Sequence, residues 1–238
     1  MFGGSTGRFG KVRIRNLQVV LHRYRRAITN PGTHLMNLPT RLFNFAISER
    51  LLKELPIKGF RKPSPTSRER FLTGAEYALA LKSAMPQMKD PIKFLWHTGC
   101  RPQELRVIEA AWVRDRKIII PKELSKGKRK ARVILLNPTA AMIAARLAKQ
   151  YPEGPIFRNN EGTVWTKDNL RLAFNRLGLQ VGIKGLCAYW LRHAFITRML
   201  EKNVDVASVA ALAGNSPRMV LNNYNHVAAN ESRLLSLL

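Results

Sequence analysis

Apolar positions Leu17, Val20, Leu21, Tyr24 and Ile28 fall on one helical face, with Arg23, Arg25 and Arg26 mostly off it. This spacing predicts a helix with a basic outer surface. Asn30-Pro31-Gly32 ends it. A second helix is expected from near Pro39, a residue suited to a first turn, with Leu42, Phe43, Ala46, Ile47 and Leu51 inward. Residues 1–16 hold four glycines and several basic residues without a period and predict a frayed end. Between Leu55 and Arg70, Pro56, Gly59, Pro63 and Pro65 break any periodicity while Lys58, Arg61, Lys62, Arg68 and Arg70 add charge. Such a stretch is semi-extended, and it suits either a strap along a phosphate backbone or a plain solvated linker.

Beyond it, Thr73 and Glu76 have capping-box spacing and open a helix through about Ser83. Asp90-Pro91 is expected to start another, carrying Ile92, Phe94, Leu95 and Trp96 and ending at Thr98-Gly99. Pro102 fits the first turn of a further helix bearing Leu105 and Ile108. Residues 111–113, 117–120 and 133–136 are β-rich runs separated by charged turns, which predict a small antiparallel sheet. The second connection, KELSKGKRK over 122–130, is a basic hairpin tip turning at Gly127. Helical spacing returns over 138–149 (Ala141, Ile143, Ala144, Leu147). Residues 154–157 form a short extended piece, and Thr166 caps a helix with Leu170, Phe174 and Leu177 inward. The expected fold is mainly α (α+β): a helical domain with a three-stranded antiparallel sheet, preceded by a few helices. The expected boundaries are a partial helical region at 1–62, a basic linker at 63–70 and the main domain at 71–238.

Charge narrows the choice of partner. Lys and Arg number 41 against 15 Asp and Glu, a formal charge of +26 over 238 residues, and the pI is about 11.2. Such a balance predicts a polyanionic partner, double-stranded DNA first, because each neutralised phosphate releases counterions. A ribosomal-type basic protein or an anionic membrane surface would also fit. The hydrophobic fraction of 45% is enough for a packed core and excludes a disordered basic tail. No apolar run has membrane-spanning length, and no apolar segment of signal-peptide length follows the first basic residues. The expected location is cytoplasmic and nucleoid-associated. Two cysteines, Cys100 and Cys187, form neither a zinc site nor a disulfide framework by themselves. The histidines have no metal-ligand spacing and no glycine-rich phosphate loop is present, so neither metal nor cofactor is expected.

Chemistry concentrates over residues 188–227. Arg192 stands near the start of one helical segment and Tyr224 near the end of the next, with Gly214-Asn215 between. A guanidinium fork can hold a phosphate, and a tyrosine hydroxyl can attack one. Tyr189, Arg192 and His193 at i, i+3 and i+4 share a helix face. Upstream, Arg101 at a helix start opposes the dipole. Either an anion site or simple pairing with Glu104 three residues on explains it.

The ordered set TGCRPQEL (98–105), SKGKRKARVILL (125–136), YWLRHAF (189–195), LAGNSP (212–217) and NNYNHV (222–227) resembles the catalytic domain of the tyrosine recombinases, also called phage integrases. The resemblance covers about residues 70–227, and 30–62 is similar to the end of that family's helical core-binding domain. It implies that Arg101 and Arg192 are the family's two arginines, that Lys126 is its hairpin lysine, and that Tyr224 is its nucleophile. Two positions depart. Tyr189 stands where the family has a histidine three residues before the second arginine, and Asn215 where it has histidine or tryptophan nine residues before the nucleophile. A phenol is a poor base near neutrality, whereas Asn215 can replace a phosphate-contacting donor. His193 is a candidate to cover for Tyr189, or else a structural histidine.

The resemblance implies a site-specific recombinase that cuts and rejoins DNA through a 3′-phosphotyrosine without a nucleotide cofactor. It would grip DNA with Arg61, Lys62, Lys128, Arg129 and Lys130, and work as a homo-oligomer, a synaptic tetramer, joined through the apolar tail Leu234, Leu235, Leu237 and Leu238. The two departures and the short N-terminal region raise the competing expectation of a catalytically impaired, non-cleaving DNA-binding derivative. A relaxing type IB topoisomerase shares the chemistry but is usually longer.

Overall fold

The computed structural model describes residues 43–44, 47–48, 53–54, 70–125 and 130–228. The chain divides into two units, Met1–Arg68 and Glu69–Leu238. In the first, residues 43–44 and 47–48 are helical, within the second helix expected from the sequence. The first expected helix and the basic strap lie outside the described residues.

The second unit opens with α1 (Gly74–Ser83), whose capping box forms as its spacing requires. The Glu76 amide donates to Thr73 Oγ1 at 3.2 Å, and the Thr73 amide to Glu76 Oε2 at 3.0 Å. α2 (Pro86–Thr98) starts five residues before the expected Asp90-Pro91. Pro86 takes the first-turn position, and Pro91 sits inside the helix, where its missing N–H forfeits the bond to the Gln87 carbonyl. The helix persists because Met88, Ile92, Phe94 and Leu95 are fully buried around that point, and each such side chain contributes about 1.5–3 kcal/mol. α2 ends at Gly99 in the left-handed conformation (φ +60°). A Cβ there would collide with the Phe195 ring of a later helix. α3 spans only Pro102–Leu105, so the expected helix stops short of Ile108, which is buried beyond its end.

The sheet is antiparallel in the order β1 (Val113–Arg114), β2 (Lys117–Ile120), β3 (Arg132–Leu135). Ile118 faces Ile134, and Ile120 faces Arg132. Period-two alternation buries Ile118, Ile120 and Ile134 and exposes Ile119, Val133 and Leu135. Ala110–Trp112, expected to be partly strand, is a single 3-10 turn. The Trp112 amide closes that turn on the Glu109 carbonyl at 3.1 Å, and just before it the Ile156 amide of the 154–157 piece donates to the Ile108 carbonyl at 2.8 Å.

α4 (Pro138–Gln150) is capped by Asn137 and α5 (Lys167–Gln180) by Thr166. α6 (Ala188–Glu201) runs through the centre, packed on α2, α7 and α8. α7 (Val206–Ala213) is capped by Asp205 and ends at left-handed Gly214. α8 (Pro217–Ala228) follows, its helical run broken at Tyr224 (φ −132°, ψ 18°). The main core spans α1 to the first half of α6. A smaller one joins Phe195, Ile196 and Leu200 of α6 to Val209, Ala213, Val220 and Tyr224. The arrangement is the mainly helical fold with a three-stranded sheet expected from the sequence.

Candidate active site

Two chain reversals, the α2–α3 corner and the α7–α8 turn, meet the inward face of α6 where the two cores join. Between them lies a cavity of about 430 Å3 lined by Arg101, Gln103, Tyr189, Arg192, His193, Asn215, Met219, Asn223 and Tyr224.

Arg192 is 5% exposed and is held from two sides. Its Nη1 donates to the carbonyls of Gly99 and Ala213, both at 2.6 Å. These are helix-end carbonyls without intrahelical partners, so a cation beside them is favourable. Nη2 donates to Asn215 Oδ1 at 2.9 Å. Of five guanidinium donors three are thus used, and two remain on a group that lines the cavity. Burial first, and the neighbouring Arg101 charge second, lower the Arg192 pKa from its ordinary value. It remains a cation at neutral pH, since arginine starts so high.

Arg101 precedes α3, where its charge opposes the helix dipole, and the structure supplies the compensation. Its Nη1 pairs with Glu104 Oε1 at 2.6 Å, and its own amide donates to Glu104 Oε2 at 2.8 Å. Nη2 donates to the Gly214 carbonyl and lies 3.4 Å from Asn215 Oδ1. Pairing with Glu104 and membership of the cavity therefore hold together. Glu104 is 3% exposed and also stands 3.7 Å from Arg132 Nε.

Asn215 bridges the two arginines. Both partners are pure donors, so the amide must turn Oδ1 towards them, which leaves Nδ2 as a further donor.

Tyr224 is 5% exposed, and its hydroxyl hydrogen-bonds Nδ1 of His193. The two rings lie 5.6 Å apart. Burial pushes the Tyr224 phenol up to about 12, opposed by the positive Arg192. Burial, and then Arg192, lower the His193 pKa from 6.5. The pair is accordingly neutral at physiological pH. Tyr189 is half exposed on the cavity rim, and its hydroxyl makes no hydrogen bond to another described residue.

Six of the residues singled out from the sequence thus line one cavity, and Glu104 lies beneath it. Lys126, Lys128, Arg129, Arg61, Lys62 and the apolar tail are outside the described residues. Lys130 is exposed at the hairpin base, where its carbonyl accepts from Ser125 Oγ at 2.6 Å.

Arg132 joins the site from outside the set that the sequence singles out. It donates through Nη2 to the Leu212 carbonyl at 2.7 Å and through Nη1 to that of Ala211 at 3.3 Å, tying β3 to the end of α7. The available signal was its phase: two residues from buried Ile134, it is a charge on the core face of a strand. Among the described residues, no group of three or more His, Cys, Asp or Glu could hold a metal ion, and no helix is long and apolar enough to cross a membrane.

Residues 69–231 match the model of the phage integrase family. Tyrosine recombinase XerD of Staphylococcus haemolyticus is 29% identical over 153 residues, 60% of this chain and 50% of the relative. XerD of Halalkalibacterium halodurans is 26% identical over 207 residues, 79% of this chain and 68% of the relative. The chain spans about half the length of the Staphylococcus relative. Two solved structures are similar in fold. One is the Tn1549 transposon integrase in complex with transposon right end DNA (TM-score 0.72, 18% identity, 96% of this chain and 85% of that one). The other is a lambda integrase dimer bound to a COC′ core site (TM-score 0.71, 14% identity, 94% and 67%).

Proposed function

The chain belongs to the phage integrase family, and from that premise we propose that it cuts and rejoins double-stranded DNA at specific sites through a 3′-phosphotyrosine on Tyr224. The observation that carries this is the convergence of two cations with spare donors, Arg101 and Arg192, and one buried phenol on a single cavity. A phosphodiester resists attack because it is an anion. Two guanidinium forks on its non-bridging oxygens offset that charge and the further charge that grows in the transition state. Asn215 Nδ2 adds a neutral donor. Tyr224 attacks phosphorus, the bridging 5′-oxygen departs, and the strand end stays on the enzyme. The bond is thereby conserved and no nucleotide cofactor is needed. Lys126, on the family resemblance, protonates the departing oxygen. Rejoining to another 5′-hydroxyl completes an exchange.

The basic residues Arg61, Lys62, Lys128, Arg129 and Lys130 would follow the phosphate backbone, which positions the duplex without reading its sequence. Strand exchange between two duplexes calls for four protomers, and the 234–238 leucines are the proposed joint between them. A DNA substrate is consistent with work in the cytoplasm, on nucleoid DNA.

The test is a set of nicked duplexes tiled across the DNA that flanks the coding sequence, incubated with protein and separated in denaturant. A protein–DNA adduct that disappears in Tyr224→Phe is expected. Salt-dependent binding to the same duplexes without any adduct would contradict cleavage and mark the chain as a non-cleaving DNA-binding derivative.

A further inference from the structure

For Tyr224 to attack, its hydroxyl proton must leave. The identity of the acceptor deepens the strand-cutting reading above and rests on it. The side chain at 189 is a half-exposed phenol on the cavity rim, and a phenol is a poor base near neutrality. The neighbouring turn of the same helix offers something better. The break in α8 at Tyr224 brings its hydroxyl onto Nδ1 of His193, one residue beyond Arg192 on α6. We infer that His193, and not residue 189, is the group that accepts the Tyr224 proton during strand cutting.

The step balances without another reactant. The Nδ1 lone pair takes the proton as the Tyr224 oxygen bonds to phosphorus. The bond from phosphorus to the 5′-oxygen breaks, and that oxygen takes a proton from the acid of the site. In rejoining, the 5′-hydroxyl returns its proton to that acid. The phenol departs from phosphorus and recovers its own proton from the His193 imidazolium.

The groups that face His193 are Tyr224 from α8, Arg192 beside it on α6 and, around the cavity, Arg101 and Tyr189. Burial and the Arg192 charge keep the imidazole neutral, so a lone pair is available at pH 7. The same charge disfavours the imidazolium. A bound phosphate, anionic and becoming more so in the transition state, offsets that penalty only when DNA is in place.

The test uses full-length protein and nicked duplexes carrying either an ordinary scissile phosphate or a 5′-bridging phosphorothiolate, whose sulfur leaves without protonation. His193→Asn keeps an amide oxygen near the Nδ1 position but cannot titrate. Adduct formation is expected to slow by about 10²-fold to 10⁴-fold on both substrates. The wild-type rate is expected to fall on the acid side through a limb below pH 6.5, and that limb is expected to vanish in the variant. A Lys126→Ala defect, by contrast, is expected to be relieved by the sulfur substrate. A His193→Asn rate within about threefold of wild type, a persistent acid limb, or rescue by sulfur would each overturn the inference while leaving a Tyr224-dependent adduct intact. Absence of any wild-type adduct would remove the strand-cutting reading and this inference together. Should the variant fail to fold, nitrogen-15 chemical shifts of the wild-type imidazole decide. A lone pair on Nδ1 and a proton on Nε2 at pH 7.5 are expected, and a protonated Nδ1 would refute the assignment.

Discussion

Asn215 Oδ1 accepts from Arg192 Nη2 at 2.9 Å, so the residue at the position where the resemblance expects histidine or tryptophan fixes one of the two cations that, on the proposed function, would hold phosphate. Removing it strips a partner from a buried guanidinium. Asn215→Ala is expected to lose about 1–3 kcal/mol of stability, read by urea unfolding, together with adduct yield. Asn215→Asp should hold its melting temperature, since a carboxylate suits two guanidinium neighbours, yet lose more than about 100-fold in adduct formation because the anion site becomes self-neutralised. Normal cleavage by the aspartate variant would refute this account of the pocket.

Glu104 anchors two cations, Arg101 at 2.6 Å and Arg132 at 3.7 Å, while itself 3% exposed. Glu104→Ala leaves both without their counter-charge, and breaking a buried pair in this way costs about 3–5 kcal/mol. A shift in the denaturation midpoint without change of slope would report it. A loss below about 1 kcal/mol would mean that solvent already screens the pair.

Much of this site could be read from the chain. The ordered motifs that resemble the recombinases point to Arg101, Arg192 and Tyr224 by residue type and to Asn215 as a departure, and local rules suffice for the capping box at Thr73 and the left-handed stop at Gly99. What escaped were relationships between distant segments. The sequence puts the start of α2 too late because Pro91 resembles a first-turn proline, and only the packing of Met88, Ile92 and Leu95 lets the helix run through it. The role of Arg132 is not legible locally because its partners, the Ala211 and Leu212 carbonyls, lie some 80 residues downstream. The meeting of His193 with Tyr224 depends on how α8 folds back on α6, which helical periodicity does not encode.

Gly214 adopts φ +70°, and a Cβ on it would lie 2.7 Å from the Arg132 guanidinium. Its carbonyl also accepts from Arg101. Gly214→Ala therefore combines backbone strain of about 1–3 kcal/mol with displacement of two arginines. The expected result is lower thermal stability and a weaker adduct, with the loss of adduct partly relieved in Gly214→Ala, Arg132→Ala. No relief would place the defect in the turn alone.

His193 and His97 both have folded-state pKa values below 6.5, chiefly through burial. The unfolded chain then binds protons more readily than the folded one. The stabilisation is present above pH 6.5 and is lost as pH falls towards the folded values. Melting temperature should drop between pH 7.5 and 5.5, above the carboxylate range, and His193→Asn should drop less over the same interval. Equal slopes would mean that His193 does not titrate differently in the two states.

The central claim is that Tyr224 carries the DNA. Protease digestion of the denatured wild-type adduct, followed by mass spectrometry of the nucleotide-bearing peptide, tests it most directly. The expected product is a peptide from α8 with a 3′-phosphate ester on Tyr224. A nucleotide attached to Tyr189 or any other side chain would contradict it.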